Sequence, residues 1–407
     1  MSIFEAINQI IDIADIGKNY RERNVSVQSF GIDANTINFV NENKEIFYTA
    51  VSKAFYNDSD ISSTYTVKKY QSLLISHFRQ HILDKKKIEK EEAASFTRTL
   101  KKESSKVFTV IRDIHGIILE NSNEPLVLGK YTIYNFQFHR HLIEARSQID
   151  PEFIWLSEKP NYLISWDTKA RHFEKAIEIA DEQFERFELI LRYLIGRPTT
   201  HFEVGILNYQ GWRHRRAYVF ADDGELSSSI SNHGPIEPIN LDNPYFKSEE
   251  DGHKYAWEMV NELNLNKFQN RVVLAIEWIG QSIAEPSPQS AFLKAAIALE
   301  IIFTYNEKTI IVPSILNQIS EGTALILGTS VEERIKLESK VKSLYALRSA
   351  IVHSGDKNIS KEDHESMLSV ARSVIGKLIT SEKLKKIVSI EALYELLKQT
   401  KYSGNAI

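Results

Sequence analysis

Helix punctuation is the feature of this sequence that most restricts its fold. Residues 246–407 are divided by Pro286, Pro288, Gly328 and Gly355 into stretches with apolar positions at helical spacing. A chain cut so regularly at helix starts and stops buries its apolar faces most readily as a bundle. One helix is expected from about 249 to 264, a second from Asn266 to Ala284, and a third over PQSAFLKAAIALEIIF. The third is apolar nearly all round, which marks it as the central buried helix. A fourth is expected over about 312–327. Ser330 and Glu333 have the spacing of a capping box opening VEERIKLESKVKSLYALRSAIVH, which Gly355 closes. Another helix should follow Ser360, and a last one should cover about 389–400.

The rest of the chain divides in two. Residues 1–105 are expected to be mostly helical, because TYTVKKYQSLLISHFRQHILDKKKIEKEEAASFTRTLKKESS has apolar positions every three or four residues and no Pro or Gly. Its charged part, from Lys85 to Glu92, mixes both signs and reads as a solvated helix face, with a nucleic-acid contact as the alternative. In residues 106–245, KVFTVIRDI, GIILE, GKYTIYNFQF, FIWLSE and NYLISW are β-branched and aromatic runs between turn residues, which predicts strands. One long helix interrupts them, HFEKAIEIADEQFERFELILRYLIG, stopped by Gly196 and Pro198. Strand patterning resumes in HFEVGILNY and RAYVFADDGE, and SISNHGPIEPINLDNPYF, with three prolines, reads as a linker ending near 245. The expected fold class is α+β, multidomain and mostly α: N-terminal helices at 1–105, an α+β domain at 106–245 and a helical bundle at 246–407. With 407 residues and roughly 100–200 residues per domain, two or three cores of useful size are expected.

Composition excludes several function classes. There is no cysteine, which removes disulfides, thiolate nucleophiles and Cys-type zinc sites. Fifty basic against fifty-four acidic side chains give a net charge of −4, so bulk charge does not draw this chain onto nucleic acid and any such contact must be local. The first residues carry Glu5, Asp12 and Asp15 where a signal peptide would be basic, and no apolar stretch reaches the roughly 18 residues of a membrane span. A soluble, cytoplasmic protein without a membrane partner is expected. The motifs G-x-x-x-x-G-K-S/T, G-x-S-x-G and H-E-x-x-H are absent.

The segment SLYALRSAIVHSGD carries most of the chemical information. It places Arg348 and His353 near the end of an otherwise apolar helix, with Tyr345, Leu347, Ala350, Ile351 and Val352 expected to hold that helix in the core. A buried guanidinium, hydroxyl and imidazole must each find partners. Ser349 and His353 are four apart and share a helix face, with Arg348 one step round. A simpler alternative is a helix C-cap, in which His353 meets the last carbonyls and Arg348 pairs with a core carboxylate such as Glu300. Other clusters are less specific. His77 and His81 have an i, i+4 spacing that can hold a metal, but no third ligand is evident. His139 and His141 flank Arg140, and an H-x-H on a strand would send both rings to one side. In QGWRHRRAY, Trp212 with Arg213, Arg215 and Arg216 combines a stacking surface with dense positive charge, suited to single-stranded RNA or a phosphate-rich ligand. The same arginines can instead pair with Asp222, Asp223 and Glu225.

RSAIVH fits the Arg-polar-x-x-x-His signature of HEPN-domain ribonucleases. With AFLKAAIALEIIF, ILNQISEGTALILG and EERIKLESKVKSLYALRSAIVHSGD in that order, residues 266–380 resemble the Apea-like HEPN subgroup associated with antiviral defence. The preceding region, with VIRDIHGIILE and KAIEIADEQFERFELILRYL, looks like the segment that accompanies this subgroup. The resemblance implies a homodimeric endoribonuclease that needs no metal or other cofactor and cleaves RNA by attack of the ribose 2′-OH. It implies Arg348, His353 and Ser349 as catalytic residues, with Glu300 and Tyr345 supporting them. His353 suits general acid–base work near neutrality, and Arg348 can fork onto phosphate oxygens. The N-terminal regions would sense a phage-derived or cellular trigger, or help to select the RNA. The alternative is a HEPN-like module that binds RNA or a protein without cutting.

Overall fold

The computed structural model describes residues 1–17, 26–31, 35–120, 123–148, 150, 152, 160–196, 204–207, 213–220, 226–233, 238–262, 264–305, 314–354 and 359–407, with the side chains of 213–220, 226–233, 353 and 354 excepted. The protein is α+β and mostly helical. Two compact units each draw on two stretches of chain: residues 1–110 with 167–182, and residues 111–166 with 183–407.

The first unit opens with α1 (Ile3–Ile13), whose capping box joins Ser2 and Glu5. A small antiparallel sheet follows, formed by β1 (Asp15–Ile16), β2 (Val27–Phe30) and β3 (Ile37–Val40), with β3 central. The sequence reading expected this region to be mostly helical and named no strand in it; strands of two to four residues are too short to show alternation. Helices α2 (Glu42–Tyr56), α3 (Ser59–Thr64), α4 (Val67–His77), α5 (Arg79–Leu83) and α6 (Lys90–Lys102) complete the core. Ile7, Ile10, Phe39, Phe47, Phe55, Tyr70, Leu74, Phe78 and Phe96 are buried in it, with the Phe39 and Phe47 rings stacked 4.2 Å apart. The returning stretch is fastened by Arg171. Its Nη2 donates to both Asp60 carboxylate oxygens at 3.2 and 3.1 Å, and its Nε donates to the Glu103 carbonyl at 2.8 Å.

Strand β4 (Lys106–Asp113) carries the chain into the second unit, where β5 (Ile117–Ile118), β6 (Leu126–Leu128), β7 (Tyr131–Asn135) and α7 (Phe136–Ser147) follow. The chain returns along β8 (Tyr162–Ala170) and α8 (Phe173–Ile195). Strands β6, β7 and β8 pair antiparallel in that order. Beyond them lie the hairpin of β9 (Arg213–Phe220) and β10 (Leu226–His233) and the short β11 (Ile239–Asn240), which pairs in parallel with β5. Strand β10 falls where the sequence was read as the start of a linker: LSSSISNH has no apolar alternation, and its eight cross-strand pairs with β9 supply the order instead. FIWLSE lies outside the described residues.

The bundle consists of α9 (His253–Asn261), α10 (Lys267–Ala284), α11 (Pro288–Phe303), α12 (Ile315–Leu327), α13 (Val331–Ser354), α14 (Lys361–Thr380) and α15 (Ile390–Ser403). Caps set most of these boundaries. Asn266 and Gln269 form a capping box, Ser287 caps α11 ahead of Pro288, and Ser360 with Asp363 opens α14. At α13, Ser330 Oγ accepts from the Glu333 N–H at 3.2 Å, while the Glu333 carboxylate reaches back to the Thr329 N–H at 2.8 Å, one residue beyond the expected partner. Helix α11 is the central one: eight of its residues, including Phe292, Leu299 and Phe303, are buried, and it packs against α10, α12, α13 and α14. An aromatic group of Tyr131, Trp166, Phe187 and Trp257 ties the sheet to this bundle, with the Phe187 and Trp257 rings stacked at 5.2 Å. Among the described residues no helix is long and apolar enough to cross a membrane.

Candidate active site

Helix α13 buries Val341, Leu344 and Tyr345, and the same stripe reaches Arg348 one turn further on. A cation thus arrives where the pattern calls for an apolar side chain. The opposing helix supplies the answer: Glu300, in the last turn of α11, faces it. Arg348 Nη2 donates to Glu300 Oε2 at 3.3 Å. Its Nε lies 2.9 Å from Oε1 as an ion pair, yet that buried N–H is not aligned for a hydrogen bond. The Tyr345 hydroxyl donates to the same Oε1 at 2.8 Å, and its ring lies under the guanidinium at 5.6 Å. Burial first, and then the Glu300 carboxylate at its hydroxyl, push the Tyr345 phenol well above its ordinary range, so it remains a protonated donor.

Arg348 is therefore held from the carboxylate side and left with hydrogen-bonding capacity. Its side chain keeps 26% exposure, and among the described residues Nη1 has no hydrogen-bond partner. An anion arriving from solvent would find a guanidinium already fixed in place. Ser349, next in sequence, is exposed. His353 lies within α13, but its side chain is outside the described residues, as is Gly355. At about 100° per residue, positions 349 and 353 lie about 40° apart round a continuous helix, whereas 348 and 353 lie about 140° apart. One α13 alone does not gather all three onto a single face.

The expectation that Ala350, Ile351 and Val352 lie in the core needs correction. Ala350 and Ile351 are half-buried and Val352 is 53% exposed, so burial fades over the last turns of α13. The other candidates separate. His77 ends α4 and His81 belongs to α5, since the helix breaks at Phe78; His81 Nε2 lies 3.1 Å from Glu92. His139 and His141 are on helix α7, not on a strand, which sends them to different surroundings: His139 is buried and its Nδ1 accepts from the Asn135 N–H at 3.0 Å, while His141 is exposed. Aromatic residues in FQFHRHL imitate a strand, but Asn135 caps a helix there. Trp212 lies outside the described residues, with Asp222, Asp223 and Glu225. Arg213, Arg215 and Arg216 belong to β9 itself, and strand alternation puts positions 213 and 215 on one face and 216 on the other. The three arginine positions are thus split between the two faces of β9.

Among the described residues no group of three or more His, Asp and Glu is placed to hold a metal ion. The sequence reading missed a second cation, Arg372 on α14, which lines a cavity of the second unit. A single arginine in a regular helix gives no motif by which to find it. In comparisons with known proteins, no family model, no curated protein and no solved structure matches the chain.

Proposed function

We propose that this chain is a metal-independent endoribonuclease of the HEPN kind, acting as a homodimer in antiphage defence in the cytoplasm. The observation that carries the reading is the Arg348 guanidinium, braced by Glu300 and Tyr345 yet open to solvent beside Ser349. The resemblance of residues 266–380 to the Apea-like HEPN subgroup supplies the reaction class. In that reaction the 2′-oxygen forms a bond to the adjacent phosphorus as the bond to the 5′-oxygen breaks. The products are a 2′,3′-cyclic phosphate and a 5′-hydroxyl. One His353 imidazole takes the proton from the 2′-OH, and an imidazolium returns a proton to the leaving 5′-oxygen. Arg348 stabilises the charge that builds on the phosphorane oxygens, and Ser349 orients a phosphate oxygen. The wide angle between positions 348 and 353 on one helix favours a site assembled from two copies, in which each chain contributes both residues.

The pairing of Arg348 with Glu300 favours a second reading, a module that binds RNA or a protein without cutting, because the carboxylate offsets part of the charge the reaction would use. Incubation of the purified protein with total bacterial RNA in EDTA separates the two. Cutting that is lost in an Arg348→Ala/His353→Ala variant of unchanged helicity supports the nuclease. Retained binding with no cutting, by a protein that light scattering shows to be monomeric, supports the module. Cutting that survives in the double variant rules out the assigned site.

A further inference from the structure

A cavity of about 460 Å³ lies in the second unit, with none of the residues assigned to catalysis in its lining, between α14, the last turn of α8 and the segment leading into α9. Its size is within the usual range of a small-molecule site. Arg372 is its main cation. The guanidinium is held between the Tyr193 ring, 5.7 Å from its central carbon, and Gly196, the residue that ends α8 with φ +70°. A Cβ at position 196 would come within 2.1–2.2 Å of the guanidinium atoms, so backbone conformation and close approach both call for glycine. This packing fixes the guanidinium without neutralising it. Its one hydrogen bond among the described residues is a long one, 3.4 Å from Nη2 to the Leu194 carbonyl, and its buried Nε has no partner.

Among the described residues neither nearby carboxylate pairs with Arg372. Asp251 accepts from the Ser248 hydroxyl at 2.7 Å, and Glu365 lies 3.7 Å from Lys361. His253 places Nδ1 2.7 Å from the Tyr245 carbonyl, which assigns the proton to Nδ1 and leaves Nε2 available. Ser369 and Ser373, one turn apart on α14 on either side of Arg372, add hydroxyls to the lining. An unneutralised, immobilised guanidinium with hydroxyls beside it is an oxyanion receptor, while the bare imidazole Nε2 can accept from a ligand hydroxyl. Two carboxylates at the same cavity oppose a polyphosphate and would accept hydrogen bonds from hydroxyl or amino groups.

We propose that this cavity binds a small hydroxylated molecule carrying one oxyanion, with Arg372 gripping the oxyanion and Asp251 and Glu365 meeting its hydroxyl or amino groups. The test is calorimetric titration of the full chain with ribose 5-phosphate, gluconate and orthophosphate. Saturable binding of one molecule per chain, weakened about tenfold or more in Arg372→Gln, supports the proposal. Preference for ribose 5-phosphate identifies a phosphoester, and preference for gluconate a carboxylate. Glu365→Gln, at an exposed position, is expected to weaken binding of the hydroxylated probes about twofold or more by replacing the charged acceptor of their hydroxyl groups, and to leave orthophosphate binding no weaker. Absence of saturable binding up to about 10 mM of every probe, a regime weaker than ordinary ligand sites, overturns the proposal. So does binding that neither substitution changes.

Discussion

Replacing Glu300 by glutamine tests whether that carboxylate braces Arg348 or takes part in the reaction. Glutamine retains an amide oxygen for the Tyr345 hydroxyl but gives up the charge facing Arg348. Exposed ion pairs contribute about 0–1 kcal/mol, and removing one partner of a buried pair costs about 3–5 kcal/mol. The side chains here are 26% and 19% exposed, so solvent screens the pair in part, and the expected loss lies between those limits. We expect Glu300→Gln to cost about 1.5 kcal/mol, and Tyr345→Phe about 1 kcal/mol for one partly buried hydrogen bond. Urea unfolding followed by tryptophan fluorescence suits the measurement, because all five tryptophans fall in the residue ranges of the second unit. A cycle with Arg348→Met should return a coupling of about 1 kcal/mol between Glu300 and Arg348. A loss below about 0.5 kcal/mol, the scale of an ordinary surface change, would refute the bracing argument. So would abolished RNA cleavage with stability unchanged, which would instead give the carboxylate a chemical role.

Two other predictions concern stability. His364 is buried against the Ser282 hydroxyl at 3.1 Å, and burial holds its imidazole below the ordinary value of about 6.5. Its contribution is therefore fully present above that value and is lost as pH falls from there through the lowered folded value, with a slope of at most about 1.4 kcal/mol per pH unit. Unfolding curves between neutral pH and pH 5 should show this loss in the native protein and a flatter dependence in His364→Gln; equal slopes would contradict it. In the first unit, Lys85 Nζ donates to the Ile11 carbonyl at 2.7 Å and to that of Ala14, closing the end of α1. Lys85→Met should cost about 1 kcal/mol, because the residue lies at the exposed surface and solvent screens its helix-end contacts in part. Hydrogen exchange should speed up in the last turn of α1, and unchanged exchange there would exclude the capping role.

The helices of residues 246–407 were legible because their ends are written in single residues. Asn266, Ser287 with Pro288, and Ser360 with Asp363 cap where the spacing predicts. Such signals are local and survive without knowledge of the rest of the fold. The pairing of Glu300 with Arg348 was also legible, since a cation on a buried stripe must meet an anion and α11 offers one near its end. What escaped depends on tertiary partners. Strand β10 exists through its pairing with β9, and the aromatic residues of α7 fit strand and helix alike until Asn135 caps the chain. The return of residues 167–182 to the first unit rests on Arg171 meeting Asp60 and Glu103, contacts that periodicity cannot reveal. Arg372 became visible only once Tyr193 and Gly196 were placed around it.

The most direct test of the nuclease proposal uses a defined RNA whose cut site has been mapped, remade with a single 2′-deoxynucleotide on the 5′ side of that bond. The proposal requires the hydroxyl at that position as nucleophile. It predicts that the wild-type protein, in EDTA, leaves 2′,3′-cyclic phosphate ends on the all-ribose substrate and fails to cut the substituted one at that bond. Cutting that persists at the deoxy position would show that another nucleophile attacks, and the HEPN mechanism assigned to Arg348 and His353 would be wrong.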